Sequence, residues 1–233
     1  METDFPINQI KQRYNIKDDA DLLYSYEELR RMDIDQQFIY TLLQTFADEK
    51  SFSEEAFQQF PLEVIIDYIH RTHRYYLDKK LMEIEQSIHI LLKDYSDNHP
   101  LLHILNSFFK EYTHDLTTHI REEEKHLLPY IKVLLKFEKE GADAEKHLAA
   151  TKQYSLQAFI DSHQDTEKNL LTVRNAILTY RPPATNQTPY RILLSQLQAF
   201  EKDLSIHALI EDRVLIPRAL QLEEKVNKLF STK

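Results

Sequence analysis

Two stretches decide how the rest of this chain is read: His119-Ile-Arg-Glu-Glu123-Glu-Lys-His126-Leu-Leu-Pro129 and His207-Ala-Leu-Ile-Glu211-Asp-Arg-Val-Leu-Ile-Pro217. Both run His, three residues, Glu, five residues, Pro, with an acid and then a base directly after the Glu. A His and a Glu four apart lie one turn apart on one helix face, about 5–6 Å between Cβ atoms, so both can reach a common ligand. Each motif also continues an apolar stripe. Leu105, Phe109, Tyr112 and Leu116 lead to His119, Glu123, His126 and Tyr130; Leu193, Leu197, Phe200 and Leu204 lead to His207, Glu211, Val214 and Arg218. Steps of four and three mark the inward face of a bundle helix. A carboxylate on such a face is costly unless something neutralises it.

Working outward, prolines and turn residues divide the chain. Pro61 opens a long periodic stretch, which Ser96-Asp-Asn-His-Pro100 interrupts with turn and N-cap chemistry. A second stretch, 101–140, ends at Gly141, where a helix C-cap meets a new N-terminus. The third covers 144–180, and Arg181-Pro-Pro-Ala-Thr-Asn-Gln-Thr-Pro189 forms the clearest loop. The fourth runs 190–229. Four long helices with short connections predict an all-α fold, an antiparallel up-down four-helix bundle over 61–229. Residues 1–60 predict a helical N-terminal extension, with short helices at 18–31 and 33–47.

Composition narrows the chemistry. The 233 residues include one Gly, no Cys, no Trp and eleven His. Roughly sixteen Gly would be ordinary for this length. Their absence argues against tight hairpins, phosphate-cradling loops and dinucleotide fingerprints. The absence of Cys removes disulfides, thiol nucleophiles and sulfur-ligated metal sites. A net charge of −9 argues against nucleic acid or an anionic membrane as partner. No basic and apolar leader opens the chain, and no apolar run approaches the roughly 20 residues of a membrane span. A cytoplasmic protein is expected.

The surplus imidazole has a pattern. His73 precedes His119 by 46 residues and His163 precedes His207 by 44. His73 follows Ile66 and Ile69 and precedes Leu77; His163 lies among Leu156, Phe159 and Leu170. A repeated helical hairpin would thus bring His73, His119, Glu123, His163, His207 and Glu211 to one level of a core. If each Glu bridges, these six fill about eight of the roughly twelve positions of two octahedral ions, and a solvent bridge leaves room for an exogenous ligand. Imidazole with carboxylate and no sulfur fits non-haem iron first, with manganese or zinc behind it. An ordinary core in which each His ring finds a hydrogen bond would leave two buried Glu unexplained. The remaining histidines read as background: His89, His114 and His147 as surface residues, and His70, one turn from His73, as a neighbour of the site. Tyr76 or Tyr112 could hydrogen-bond a bound ligand.

The paired motif, the Thr72-His73 step with Tyr76, and the Asn98-His99-Pro100 turn resemble the hemerythrin-like (HHE cation-binding) proteins. Within that family, residues 60–225 are most similar to the di-iron proteins implicated in repairing damaged iron–sulfur clusters. The resemblance implies the same six ligands, two iron ions joined by an oxo or hydroxo bridge, and a function in binding or reacting with O2 or NO. It further implies a role in cluster repair or in the response to nitrosative or oxidative stress, with an iron–sulfur protein as partner. The alternative within the same family is an oxygen- or redox-sensing, iron-binding module without turnover; outside it stands a metal-free helical interaction module. Two departures distinguish this chain. The repair proteins carry a cysteine-containing N-terminal domain, whereas residues 1–60 hold no Cys, and Glu167 stands four residues after His163, where relatives often have a small side chain.

Overall fold

The computed structural model describes residues 5–16, 34–94, 100–140, 156–162 and 187–231. Among these, every regular element is a helix. None of the described helices is long and apolar enough to cross a membrane. In chain order they are α1 (Phe5–Tyr14), α2 (Gln36–Ala47), a 3-10 turn (Glu49–Ser51), α3 (Glu54–Gln58), α4 (Leu62–Tyr75), α5 (Leu81–Asp94), α6 (Pro100–Glu122), α7 (Leu128–Glu140), α8 (Leu156–Ser162), α9 (Thr188–Ile210) and α10 (Ile216–Ser231). His163, Glu167, His99, His147 and Gly141, the predicted helix at 18–31 and most of the 144–180 stretch lie outside the described residues.

Local chemistry explains the starts and stops. The stretch expected at 33–47 begins its helix at Gln36, because Asp35 stays extended and accepts a hydrogen bond from Phe38 N at 3.0 Å. Ser53 caps α3 in the same way, through Ala56 N at 3.2 Å, and Glu54 and Glu55 favour its positive end. Asn15, with φ of 57°, takes the left-handed position after α1, and Ile16 N then reaches back to Lys11 O at 2.9 Å. That 6→1 bond is a Schellman stop, with Asn in the role usually given to Gly.

Among the described residues, three five-residue π-helical turns interrupt the long helices, at Tyr76–Lys80, Glu123–Leu127 and Glu211–Leu215. In the first and third, Leu81 N bonds Tyr76 O and Ile216 N bonds Glu211 O, each five residues back. A π turn carries one residue more than the α turn it replaces, so it advances the buried face by one position. The predicted stripe accordingly holds up to the acids; beyond them Tyr130 and Val214 stay buried on it, while His126 and Arg218 leave it. After Glu211 the buried positions are Val214, Leu215, Ile216, Ala219, Leu222 and Val226, while Arg218, expected on the stripe, is only half-buried. After Glu123 the first buried position is Leu127 rather than His126.

The chain contacts form two compact units. One draws on described parts of 1–72, 124–162 and 206–233, with a core that includes Ile10, Phe38, Leu42, Phe57, Tyr68, Leu134 and Val214. Phe38 lies edge-on to Phe57, Phe60 and Tyr68 at centroid distances of 5.9, 5.2 and 5.8 Å. Those contacts tie α2 to α4 by aromatic geometry as well as by area. The other unit draws on 73–123 and the described part of 163–205, with Tyr76, Ile84, Phe109, Tyr112, Leu197 and Phe200 in its core. There Phe200 meets Tyr76 at 5.1 Å and Tyr112 at 6.4 Å, both edge-on.

Candidate metal centre

α4 buries Ile65, Ile66, Ile69 and Thr72, and the same face then presents His73, which is 1% exposed. The stripe of α6 (Leu105, Phe109, Tyr112, Leu116) leads to His119, 17% exposed at its side chain, and to Glu123, the first residue of its π turn and 1% exposed. The two imidazoles flank one carboxylate: His119 Nε2 lies 2.6 Å from Glu123 Oε1, and His73 Nε2 lies 3.0 Å from Oε2. Burial by itself pushes the Glu123 carboxyl up. The imidazoles of His119 and His73 outweigh it and hold the group well below the usual carboxylate range.

The second motif repeats the local arrangement. His207 Nε2 lies 3.2 Å from Glu211 Oε2, both residues are buried, and Glu211 again opens a π turn. One donor atom from each of His73, Glu123, His207 and Glu211 lies within 4.8 Å of the others. Metal–ligand bonds to nitrogen and oxygen are about 2.0–2.2 Å, so donors on one ion are separated by at most roughly 4 Å. The spacing is therefore close to what an ion imposes. The chemistry agrees with the spacing: two imidazoles and two carboxylates, without thiolate, suit iron, manganese or zinc. Two buried carboxylates also supply the negative charge that a divalent cation offsets. Buried His73, Glu123, His207 and Glu211 can thus hold a metal ion.

Of the six residues expected from spacing, four form this group. His119 is joined to Glu123, and His163 lies outside the described residues. Among the other histidines, His89, His103 and His114 are exposed. His70 Nδ1 pairs with Glu124 Oε2 at 2.8 Å, each residue one turn or less along its helix from a member of the group. The two tyrosines raised by the sequence are separated by the structure. Tyr76 donates its hydroxyl to Asp203 Oδ1 at 2.8 Å, whereas Tyr112 packs its ring against Phe109 and Phe200. Asp203 is fully buried and is not among the residues that the sequence motifs single out. Its signal was available: an acid four residues before His207, beside an otherwise apolar stripe.

No family model matches the chain. Over 152 residues it is 22% identical to the iron-sulfur cluster repair protein ScdA of Staphylococcus haemolyticus, covering 65% of this chain and 64% of that protein. Over 158 residues it is 24% identical to the protein of the same name in two strains of Staphylococcus epidermidis, covering 67% of this chain and 66% of theirs. The chain therefore matches just under two-thirds of the length of these curated relatives. At 22–24% identity, the similarity supports a relationship to the iron–sulfur cluster repair proteins.

Proposed function

We propose that this is a cytoplasmic non-haem di-iron protein that binds or reacts with O2 or NO, in iron–sulfur cluster repair or in the response to nitrosative or oxidative stress. One observation carries the proposal: four buried side chains, His73, Glu123, His207 and Glu211, converge their donor atoms within 4.8 Å. The similarity to proteins named for iron–sulfur cluster repair supports iron as the metal and repair as the setting. The proposed ligand set is His73, His119, Glu123, His163, His207 and Glu211, and the proposed scaffold is a hemerythrin-like four-helix bundle over 61–229 with residues 1–60 as its extension.

Bound iron would supply reversible electron transfer and an open position for a diatomic ligand. The chain's own residues do the rest. Glu123 and Glu211 bring negative charge, each fixed at the first position of a π turn. His73, His119 and His207 bring neutral nitrogen donors held by packed helices. The apolar residues on the same helical runs, such as Leu116, Ile120, Leu127 and Val214, are buried and keep water from the donors.

The test is to reduce iron-loaded protein, add O2 or NO separately, and follow the absorption spectrum. Ligand-dependent spectral change at a stoichiometry of one diatomic per iron pair supports the proposal, and iron that answers to neither gas contradicts it. Recovery of a cluster-damaged iron–sulfur enzyme on adding the protein separates repair from sensing without turnover.

A further inference from the structure

The least expected contact in the molecule joins α1 to the residue preceding His73. Arg13 is 5% exposed, and its Nε donates to Thr72 Oγ1 at 3.0 Å across 59 residues of sequence. Its Nη1 donates to Gln9 O at 3.1 Å, and the guanidinium lies over the rings of Phe46 and Tyr68 at 5.1 and 5.8 Å. The next residue makes the next contact: the Tyr14 ring lies under the Arg71 guanidinium at 5.0 Å. Two consecutive residues of α1 thus grip two consecutive residues of α4, Arg71 and Thr72, directly before His73. The Schellman stop at Asn15 and Ile16 fixes where α1 ends and so where this pair is offered.

A guanidinium is an expensive way to fill a core, because its desolvation is recovered only by well-placed acceptors and ring faces. A Leu or Met would close the same space more cheaply. What Arg13 adds is direction. Its planar fork bonds Thr72 and the α1 backbone together, so it couples the orientation of α1 to that of the turn carrying His73. Thr72 is fully buried, which leaves that coupling no slack through solvent.

We propose that α1 regulates the metal centre: Arg13 is a positioning residue that acts through Thr72 on the adjacent His73, so that docking of α1 and retention of the metal are linked. This rests on the metal-binding function proposed above. Linkage is reciprocal, so metal must tighten α1 by the factor by which α1 tightens the metal. Displacing α1, by a partner or by a change in the N-terminal segment, would loosen the site.

The experiment uses the full chain loaded with ferrous iron. Release to a ferrous chelator is timed for wild type, Arg13→Gln, Thr72→Val and Thr72→Ser, and hydrogen exchange across residues 5–16 is measured with and without iron. Thr72→Val keeps the shape of the side chain and removes the acceptor, so it reports even if Arg13→Gln does not fold. We expect Thr72→Val to release iron roughly 10–100-fold faster, as changes behind a metal ligand commonly do, and Thr72→Ser to stay near wild type. Iron is expected to slow exchange in residues 5–16 of wild type but not of Thr72→Val. Wild-type release from Thr72→Val, or exchange at 5–16 that ignores the metal, overturns the linkage. A wild-type chain that takes up no iron overturns the metal assignment itself, which is a different result.

Discussion

His119 Nε2 stands 2.6 Å from Glu123 Oε1, one helical turn away on the same face. The opposite oxygen of that carboxylate faces His73 Nε2 at 3.0 Å. Glu123 is therefore the hinge of the site, a group that touches donors from two helices. Glu123→Ala and Glu211→Ala are each expected to bring iron content from about two per chain to below one, while exposed His89→Ala leaves it unchanged. Metal analysis of the three purified variants checks this; equal iron in all three removes the ligand assignment.

The depressed Glu123 carboxyl makes a claim about pH. Its folded value lies below its unfolded value of about 4.3, so the ionised group stabilises the fold above that range. The contribution is lost as pH falls through the folded value. Metal-free protein should accordingly lose stability as pH drops below about 4, and Glu123→Gln should lose less over the same range. Urea midpoints at a series of pH values between 6 and 3 provide the comparison.

The pair Tyr76–Asp203 is a structural debt inside the second core. Tyr76→Phe keeps the ring against Phe200 and withdraws a donor from a fully buried acid. A loss of about 1–3 kcal/mol is expected, equivalent to roughly 2–4 °C in Tm per kcal/mol for a chain of this size. Thermal melts of the metal-free form measure it. No change would mean that Asp203 is held by its other neighbours.

The π turn at Glu211 can be tested by deleting exposed Asp212. From the last residue of the turn onward, buried Leu215, Ala219, Leu222 and Val226 run one residue ahead of an uninterrupted α frame. Removing one residue lets the helix close into α form with those side chains still inward. The deletion should keep its helix content and a cooperative melt yet bind metal weakly, because Glu211 loses the turn that sets it. A deletion variant that binds metal like wild type would show that the turn is incidental.

These details mark where sequence periodicity works and where it stops. Leu105 to Leu116 and Leu193 to Leu204 are buried as their spacing requires, because one unbroken α frame carries each stripe to its acid. Beyond Glu123 and Glu211 only Tyr130 and Val214 keep to that frame and His126 and Arg218 fall off it, since a π turn leaves no mark in a pattern of apolar residues. The expected start at 33 was early: the helix begins at Gln36, because Asp35 stays extended and its side chain caps it. The link from Arg13 to Thr72 was not legible, because it joins residues 59 apart through a buried cation that composition reads as surface charge. Asp203 was hidden differently, as one acid among many until Tyr76 is seen to donate to it.

The central claim is that buried imidazoles and carboxylates hold a pair of iron ions. Protein purified from iron-replete cells, with its metal content and absorption spectrum measured together, tests it most directly. About two irons per chain and the near-ultraviolet absorption of a bridged ferric pair are expected. Fully folded protein that carries no metal and takes up none on incubation with ferrous iron would contradict it.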